Sequence, residues 1–321
     1  MLALTACESP REAPPIGDEA WTKQLDTQFA GLRRIRTGET SVLSWSGLWP
    51  LPEGRTTFGS GADQAIRLDA PEVPPSAGVF VRAGTDVLVE PSPGTKIQLA
   101  DGTVIDGPFK LISDIAKGTT ALQFGTTRVV LHEEPTASGR WIRASRSDAA
   151  AITGYTDPPR YAANRAYRVA AKLLPSSTGI TMDLPDVTGG TQQFALAGEL
   201  SFRLNGESLR LLAFKRPGRD SLFVMFRDAT SGTTTYDAAR YVYVPRPDAE
   251  NWTVLDFNKA HNPPCAFTTF STCVLPPKAN RLTVPIEAGE QLPTAPRIGA
   301  PAAAGDAGTA TASPSTPRPR G

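Results

Sequence analysis

The amino-acid sequence predicts a mainly β protein, with two antiparallel β domains behind one N-terminal helix. The chain of 321 residues contains 28 Gly and 30 Pro, which interrupt many short runs rich in Val, Leu and Thr. Short strands separated by such turn residues are typical of antiparallel sandwiches and barrels rather than parallel α/β sheets. The hydrophobic content of 40% is enough to form buried cores, and the length suits two domains of ordinary size.

The clearest helical pattern covers residues 18–38. Asp18 is suited to cap the helix and Gly38 to end it. Large apolar residues recur at three- and four-residue spacing along one face, namely Trp21, Leu25, Phe29 and Leu32. Three arginines lie in the last turns, namely Arg33, Arg34 and Arg36. We expect their side chains to be solvated there and to interact favourably with the helix dipole.

Two blocks of strand-like segments follow the helix. Residues 41–150 predict a first β-sandwich, and residues 155–292 predict a second antiparallel sandwich or barrel. Within the second block, Asn205-Gly206 predicts a tight hairpin, because both residues tolerate positive φ. Residues 293–321 are rich in Pro, Ala, Gly and Thr and nearly lack large apolar groups, which predicts a disordered tail.

The N-terminal segment, residues 1–17, resembles the start of a bacterial lipoprotein. Leu4-Thr5-Ala6-Cys7 fits a lipobox, in which the cysteine becomes acylated, and the Pro-rich stretch from Ser9 to Ile16 fits a tether. The apolar region before Cys7 is too short for a complete export signal, so an anchor requires translation from an upstream start. A chance match is the alternative. The lipoprotein interpretation places the protein in the cell envelope, on the periplasmic or extracytoplasmic face, with membrane contact only through the anchor.

The charge balance bears on the kind of partner. The chain has 33 Lys and Arg against 32 Asp and Glu, a net charge of +1. Surfaces for nucleic acid or anionic membranes need clustered positive charge, so we expect no nucleic-acid partner and no dedicated anionic-membrane surface. No apolar run approaches the ~20 residues of a membrane-spanning helix. The expected partner is an unknown ligand or envelope partner.

Sequence signatures of catalysis are mostly absent. The chain has no Gly-x-Ser-x-Gly elbow, no P-loop and no dinucleotide-binding fingerprint after a strand. Its two histidines are His132 and His261, and neither lies in a recognisable catalytic context. His132 precedes Glu133-Glu134 without a second histidine four residues on, which excludes a zincin site there. We therefore predict no metal site and no cofactor.

Cys265 and Cys273 are eight residues apart. If Cys7 is the anchor, the chain is exported, and a disulfide between the other two is the expected state in an oxidising compartment. Closing so short a loop stabilises the fold by about 2.5 kcal/mol on the chain-entropy estimate. The alternatives are a metal site, which lacks two further soft ligands nearby, and a reactive thiol, which lacks a basic neighbour other than His261.

A run of polar residues in the second block forms the candidate ligand site: Arg227, Asp228, Tyr236, Arg240, Asp256, Asn258 and Asn262. We favour a structural interpretation, in which Asp and Asn tie down irregular backbone and Arg pairs with Asp; a small polar pocket is the alternative. The first functional hypothesis is a non-enzymatic binding or scaffold protein. The second is a small-molecule enzyme of hydrolase type around Asn258, with Asp256 or Asp228 as acid or base and Arg240 holding an anion.

The order of segments in the first block, EGRTTFGSGADQAIRL, a serine-containing turn and strands that end in a Gly turn, resembles a forkhead-associated sandwich. That family reads phosphothreonine with an Arg after the first glycine, a Ser-Arg-x-His turn and a later Asn-Gly. The matching positions here are Ser60, Ser76-Ala77-Gly78 and Asp101-Gly102. Because phosphate needs charge-assisted donors, the resemblance implies the sandwich shape without the phosphate chemistry.

The second block carries a more specific pattern, FRDATSG-x-x-TY-x-x-x-R-Y, then VLDFN-x-A-x-NPPCAF and, after a second cysteine, NRL-x-x-x-IEAGE. This pattern resembles the bacterial family known as domain of unknown function 1684. The likeness runs from the helix near Asp18 to Glu290 and is strongest from Phe226 onward. The resemblance implies no activity, since none is established for the family. Family members usually have an aromatic residue where this chain has His261, which argues against a catalytic role for that histidine.

Overall fold

The computed structural model describes residues 11–137 and 139–300. Within these ranges the protein is mainly β, with antiparallel sheets behind one long N-terminal helix, α1 (Asp18–Thr37), which confirms the predicted fold class. Among the described residues, no helix is long and apolar enough to cross a membrane. Cys7, the predicted acylation site, lies outside the described residues.

The first β domain is built from two sheets. One has the order β1-β11-β10-β9-β6-β7 and the other β3-β2-β4-β5-β8. Neighbouring strands are antiparallel except for the parallel pair β2 and β3. The strands are β1 (Trp45–Pro50), β2 (Gly54–Gly59), β3 (Ile66–Arg67), β4 (Gly78–Ala83), β5 (Asp86–Pro91), β6 (Ile97–Leu99), β7 (Val104–Ile105), β8 (Phe109–Lys110), β9 (Ala121–Phe124), β10 (Thr127–Glu133) and β11 (Arg140–Arg146).

The two sheets of the first domain share one hydrophobic core. Phe58 on β2 and Phe80 on β4 stack with their ring centroids 4.3 Å apart, and both are fully buried. Leu131 on β10 and Ile142 on β11 meet them from the other sheet. Inward-facing residues of two facing sheets make the core of a β-sandwich, so this domain is a sandwich.

The serines at the positions that match phosphate-reading residues of forkhead-associated domains bond within the chain. The Ser60 hydroxyl donates to the Val73 carbonyl at 2.7 Å. The hydroxyls of Ser76 and Ser92 lie 3.0 Å apart. These contacts join the loops at one end of the sandwich.

The second β domain is one antiparallel sheet that curls into a half-barrel, in the order β17-β16-β15-β14-β12-β18, with β13 paired to β14. A short helix, α2 (Ala150–Thr153), lies in the link from the first domain. The strands are β12 (Arg168–Pro175), β13 (Thr181–Pro185), β14 (Thr191–Leu204), β15 (Glu207–Phe214), β16 (Leu222–Phe226), β17 (Arg240–Val244) and β18 (Trp252–Asp256).

The hairpin between β14 and β15 turns at Asn205-Gly206, as the sequence predicts. Their φ angles are 51° and 86°, in the left-handed region that Asn and Gly tolerate best. Leu204 pairs with Glu207 across the turn, so the turn sets the register of the longest hairpin in the half-barrel.

The half-barrel buries apolar side chains on both of its faces. The inner face packs against the segment after β18 through Leu200, Val224, Phe226, Leu255 and Phe257. The opposite face, which we call the outer face, is apolar near β16 and β17, where it packs Phe194, Phe214, Phe223 and Met225 with Val274. The alternation of side chains along each strand produces this division.

Helix α1 is held by a buried ion pair at its C-terminal end. Arg36 Nη1 and Nη2 donate to the two carboxylate oxygens of Glu290 at 2.7 and 2.8 Å, and the two side chains are 5% and 2% exposed. The prediction of solvated arginines is therefore wrong for Arg36, because Glu290 presents a buried carboxylate to it. Arg33 and Arg34 remain exposed, as predicted.

The last described residues pack against the second domain. The Ile298 N–H donates to the Phe267 carbonyl at 2.8 Å, and the Thr269 N–H donates to the Ile298 carbonyl at 2.9 Å. The predicted disorder of residues 293–321 is therefore wrong for the part up to residue 300. Backbone pairing orders this segment although it has few large apolar groups. Residues 301–321 lie outside the described part of the chain.

Arg36→Ala is expected to lower the free energy of unfolding by about 3–5 kcal/mol, because Glu290 would stay buried without its partner. Arg34→Ala, at the exposed side of the same helix end, is the matched control and is expected to change it by less than about 0.5 kcal/mol. Urea unfolding measures both variants. Similar small losses in the two would contradict the role given to the buried pair.

Candidate functional site

Asp228 and Arg240 form a buried ion pair inside the second domain. Arg240 Nη2 lies 3.2 Å from Asp228 Oδ1, and the guanidinium also donates to the carbonyls of Ile286 and Ala288 at 2.8 and 2.5 Å. Asp228 Oδ2 accepts the Ile286 N–H at 2.6 Å and the Thr230 hydroxyl at 2.8 Å. The pair therefore fixes an irregular segment against the sheet.

Asp256 and Asn258 connect the second domain to helix α1 and to the interdomain link. Asp256 Oδ2 accepts the Trp21 indole N–H at 2.9 Å, and its Oδ1 accepts the Asn258 N–H at 3.0 Å. The Asn258 side chain bonds to both the N–H and the carbonyl of Asn164, at 2.8 and 2.9 Å. Because both oxygens of the buried Asp256 carboxylate are occupied, the geometry gives no support to an acid–base role for it.

The remaining predicted residues also bond to nearby loops. Asn262 donates its backbone N–H to Glu290 at 2.8 Å and its side-chain amide to a later carbonyl at 2.7 Å. Tyr236 donates to the Cys265 carbonyl at 2.8 Å, and Arg227 pairs with an exposed aspartate. The seven residues thus hold separate loops and do not converge on one cavity.

Cys265 and Cys273 are neighbours but carry free thiols, so the predicted disulfide is absent from this part of the structure. The Cys265 N–H donates to Cys273 Sγ at 3.2 Å, and that sulfur lies 3.6 Å from the Ser271 hydroxyl. Burial raises the pKa of the Cys273 thiol well above its usual value. The protonated Cys273 sulfur accepts one of these hydrogen bonds and donates the other, and together they hold the loop in place of a covalent bridge.

A cavity of about 150 Å³ lies between the two β domains, and we call it the interdomain cavity. The first domain lines it with side chains from β1, β10, β11 and the residue after β10. The second domain lines it from β14, β17 and two loops. Its polar lining includes His132, Glu134, Arg143, Gln192, Arg216 and Thr272. None of the seven residues predicted as a ligand site lines this cavity.

His132, on β10, is hydrogen-bonded on both sides of its ring. Its Nδ1 lies 2.7 Å from Asp114 Oδ2, and its Nε2 lies 3.3 Å from the Thr272 hydroxyl and 3.5 Å from Glu134 Oε1. The Thr272 hydroxyl donates to Glu134 at 2.5 Å. Burial alone would raise the pKa of Glu134, but hydrogen bonds from His132 and Thr272 lower it below its ordinary value. Glu134 is therefore an ionised group at neutral pH.

Arg143, on β11, is the buried cation of the cavity. Its guanidinium lies 3.3 Å from Asp114 Oδ2 and 3.9 Å above the ring centroid of Trp45. Burial lowers the pKa of Arg143 to about 10, although Asp114 and Glu134 act in the opposite direction. Its side chain is 8% exposed, and its Nε has no hydrogen-bond partner among the described residues. The Nε of Arg240 is likewise unpartnered, but Arg240 does not line this cavity.

The second domain closes the other side of the cavity. Gln192 on β14 donates to the Thr272 carbonyl and accepts the Thr136 hydroxyl at 2.9 Å, a bond that crosses between the domains. Arg216 lies over the ring of Phe223 at 5.1 Å. Among the described residues, no carboxylate lies within ion-pair distance of Arg216. The cavity thus has one cation on each domain, and only Arg143 has a paired carboxylate.

Sequence reasoning missed this site because its residues come from distant segments. Asp114, His132 and Arg143 belong to the first domain and Thr272 to the second, so no local motif unites them. One signal was available. His132 and Glu134 are two residues apart at the end of a strand, and that spacing directs both side chains to one face.

Comparison with known proteins places the second domain in a family. A family model described as "Protein of unknown function (DUF1684)" matches residues 153–291. The solution NMR structure of an uncharacterized protein from Haloarcula marismortui is 33% identical, over 43% of this chain and 78% of that chain, with a TM-score of 0.38. The chain belongs to the DUF1684 family. No curated protein matches it.

The DUF1684 match covers the second domain. The sequence resemblance was expected to begin at helix α1, but the match starts only at residue 153. Gln192 and Thr272 therefore lie inside the matched region, whereas His132 and Arg143 lie outside it. The interdomain cavity is a feature of the two-domain chain and not of the matched region alone.

Glu134→Gln is expected to lower the free energy of unfolding at pH 7 by about 1–3 kcal/mol, because a buried, hydrogen-bonded carboxylate is lost. The pKa of Glu134 is lowered in the folded state. Its stabilising effect is therefore fully present at a pH above the pKa that Glu134 has in the unfolded chain. The effect is lost as the pH falls through the lower pKa that Glu134 has in the folded state. The difference between wild type and variant should shrink in that acidic range.

Denaturant unfolding from neutral to acidic pH measures this difference. Glu207→Gln, on the exposed β14–β15 turn, is the matched control and should show a small difference that does not vary in the same way. A Glu134→Gln difference that stays constant with pH would contradict the ionised, hydrogen-bonded state of Glu134.

Proposed function

We propose that the protein is a non-enzymatic binding protein of the bacterial cell envelope, anchored by a lipid at Cys7, which holds a small anion in the interdomain cavity. Membership of the DUF1684 family assigns no activity. The proposal therefore depends on the charges, size and hydrogen bonding of the cavity.

The observation that carries the proposal is the state of Arg143. A buried donor without an acceptor costs about 1–3 kcal/mol, and more when the group is charged. The Nε–H of Arg143 is such a donor, and the side chain lines a cavity rather than packed backbone. A ligand oxygen that accepts from its guanidinium would remove this cost through a charge-assisted hydrogen bond.

The cavity limits the ligand to a small anion. Its volume of about 150 Å³ corresponds to the liquid volume of about five water molecules. Among its charged lining residues, the guanidinium groups of Arg143 and Arg216 face one carboxylate, that of Glu134, which already accepts from Thr272. The lining therefore carries a net positive charge, and a small carboxylate or inorganic oxyanion fits both the size and the charge.

The hydrogen-bond directions favour binding over hydrolysis. In a hydrolytic triad, the nucleophilic hydroxyl gives its proton to histidine. Here the Thr272 hydroxyl donates to Glu134 instead, so His132 is not positioned to take that proton. The carboxylates that the sequence offers as acid or base, Asp228 and Asp256, both accept hydrogen bonds from donors within the chain.

The lipid anchor is supported by the lipobox at Cys7 and by the path of the chain that follows. The Pro14 carbonyl accepts from Arg168 at 2.7 Å, and the Ile16 carbonyl accepts from Arg165 at 2.9 Å. A tether held along the folded domain in this way would keep the domain close to the membrane.

Acetate or phosphate is expected to raise the midpoint of thermal unfolding in proportion to the logarithm of its concentration, since only the folded state has the cavity. Arg143→Met is expected to abolish this response. Arg216→Met should weaken it while leaving the contact between Arg143 and Asp114 intact. We expect the anion to be recovered chemically unchanged after incubation with the protein, because the cavity binds it without reaction.

The matched control is Arg128→Met, which removes an arginine from the same sheet face without touching the cavity. It should respond to the anions as the wild type does. Absence of any stabilisation by either anion, or an unchanged response in Arg143→Met that is folded by circular dichroism, would overturn the cavity assignment.

Native protein from bacterial membranes is expected to carry a diacylglyceryl group on Cys7, and Cys7→Ser is expected to shift the protein to the soluble fraction. Intact-mass analysis of the native material measures the first and fractionation measures the second. Detection of an unmodified Met1 in native material would refute the anchor.

A further inference from the structure

The outer face of the half-barrel carries a groove of about 920 Å³ near β12 and β18, beneath the N-terminal segment. Lys172 on β12 pairs with Ser201 on β14 and with Trp252 on β18, so these three share a face. Side-chain alternation places Arg168 and Arg203 on that face as well. We call this surface the basic groove, lined by Arg11, Arg165, Arg168, Lys172, Arg203 and Trp252.

Cations outnumber carboxylates in the basic groove. Among the described residues that line it, Glu12 is the one carboxylate. Arg11 and Arg165 each pair with a carboxylate at the groove edge. Arg168 and Arg203 instead donate to backbone carbonyls, at 2.7 and 2.9 Å. The near-neutral net charge of the chain does not indicate this surface. A net charge sums all residues and does not show whether the positive ones cluster.

A lipid on Cys7 would bring this groove close to the membrane. Cys7 lies four residues before Arg11, and an extended chain spans at most about 14 Å over that distance. Arg11 itself is held at the groove, 3.0 Å from Glu250 and 5.5 Å from the ring centroid of Trp252. An acyl anchor would therefore hold the groove within about two Debye lengths of the bilayer surface.

Apolar groups beside the cations also suit a membrane interface. Trp252 is half-buried at the groove, and Leu174 on β12 is 44% exposed. Trp is enriched where lipid headgroups meet the hydrocarbon, because its ring is amphipathic. Cations combined with a few exposed apolar side chains are the usual composition of a surface that lies on a membrane.

We propose that the basic groove docks the protein on the membrane by binding the phosphate groups of anionic phospholipids. The inference rests on the proposed anchor at Cys7, which sets the distance to the bilayer. The guanidinium groups of Arg168 and Arg203 bind phosphate oxygens with directed hydrogen bonds, and Trp252 and Leu174 contact the headgroup boundary. The anchor holds the protein at the membrane, and the groove determines which face it presents.

The test uses the full chain carrying Cys7→Ser, so that no acyl chain contributes to binding. Flotation with vesicles of phosphatidylcholine plus phosphatidylglycerol should recover the protein, and pure phosphatidylcholine vesicles should not. Added salt should weaken binding. Arg168→Gln with Arg203→Gln should lower the affinity about 30-fold, from about 1 kcal/mol per cation near an anionic surface.

The matched control is Arg67→Gln with Arg128→Gln, which removes the same charge from the first domain and should bind like the parent chain. Equal recovery with both kinds of vesicle, or equal losses in the two double variants, would overturn the proposal. Failure to bind the anionic vesicles would also overturn it, whatever the response to inorganic phosphate, which the interdomain cavity is expected to bind. Thermal unfolding shows that each variant is folded.

These experiments distinguish failure of the proposed anchor from failure of the proposed lipid binding by the groove. Unmodified Cys7 in native protein, together with selective binding to anionic vesicles, would refute the anchor and leave the lipid affinity of the groove in place. Acylated Cys7 in native protein, with no vesicle binding by the Cys7→Ser chain, would refute the groove alone.

Discussion

The buried ion pair of Arg36 and Glu290 joins residues 254 positions apart and sets the arrangement of the second domain. Taking two charges out of water costs several kcal/mol for each, so the pair stabilises the fold only when its geometry is complete. The Asn262 N–H completes it by donating to Glu290 at 2.8 Å. One point therefore holds α1, the loop after β18 and the segment around Glu290, and the bond from Trp21 to Asp256 fixes the other end of the helix.

Local features of the fold could be predicted from the sequence, and features that depend on distant partners could not. The hairpin at Asn205-Gly206 and the helix of residues 18–37 follow from backbone preference and periodicity, which neighbouring residues determine. The burial of Arg36 could not be foreseen, because its partner lies at the other end of the chain. The order of residue 298 depends in the same way on pairing with the chain near Phe267.

The closely spaced polar side chains of the second domain form hydrogen bonds with irregular backbone. Where strands end, their N–H and carbonyl groups still need partners, and short polar side chains supply them. Asn280 is an example outside the predicted set: it bonds to both backbone groups of Leu212 and to the Met225 carbonyl. Dense polar sequence is thus weak evidence for a ligand site. A buried donor that stays unpaired beside a cavity, as in Arg143, is stronger evidence, and it is visible only in three dimensions.

The half-barrel divides its outer face between two uses. Near β16 and β17 this face is apolar: Phe223 and Met225 pack with Val274 from the loop that carries Thr272, and Phe194 on the same face lines the cavity shared with the first domain. Near β12 and β18 the same face carries Arg168, Lys172 and Trp252 and is bordered by the N-terminal segment. A sheet that buries one side against its core must cover or solvate the other. Here the covered part lines the cavity and the solvated part is basic, so the surfaces that we propose for a small anion and for a membrane lie on one sheet of a nearly neutral chain.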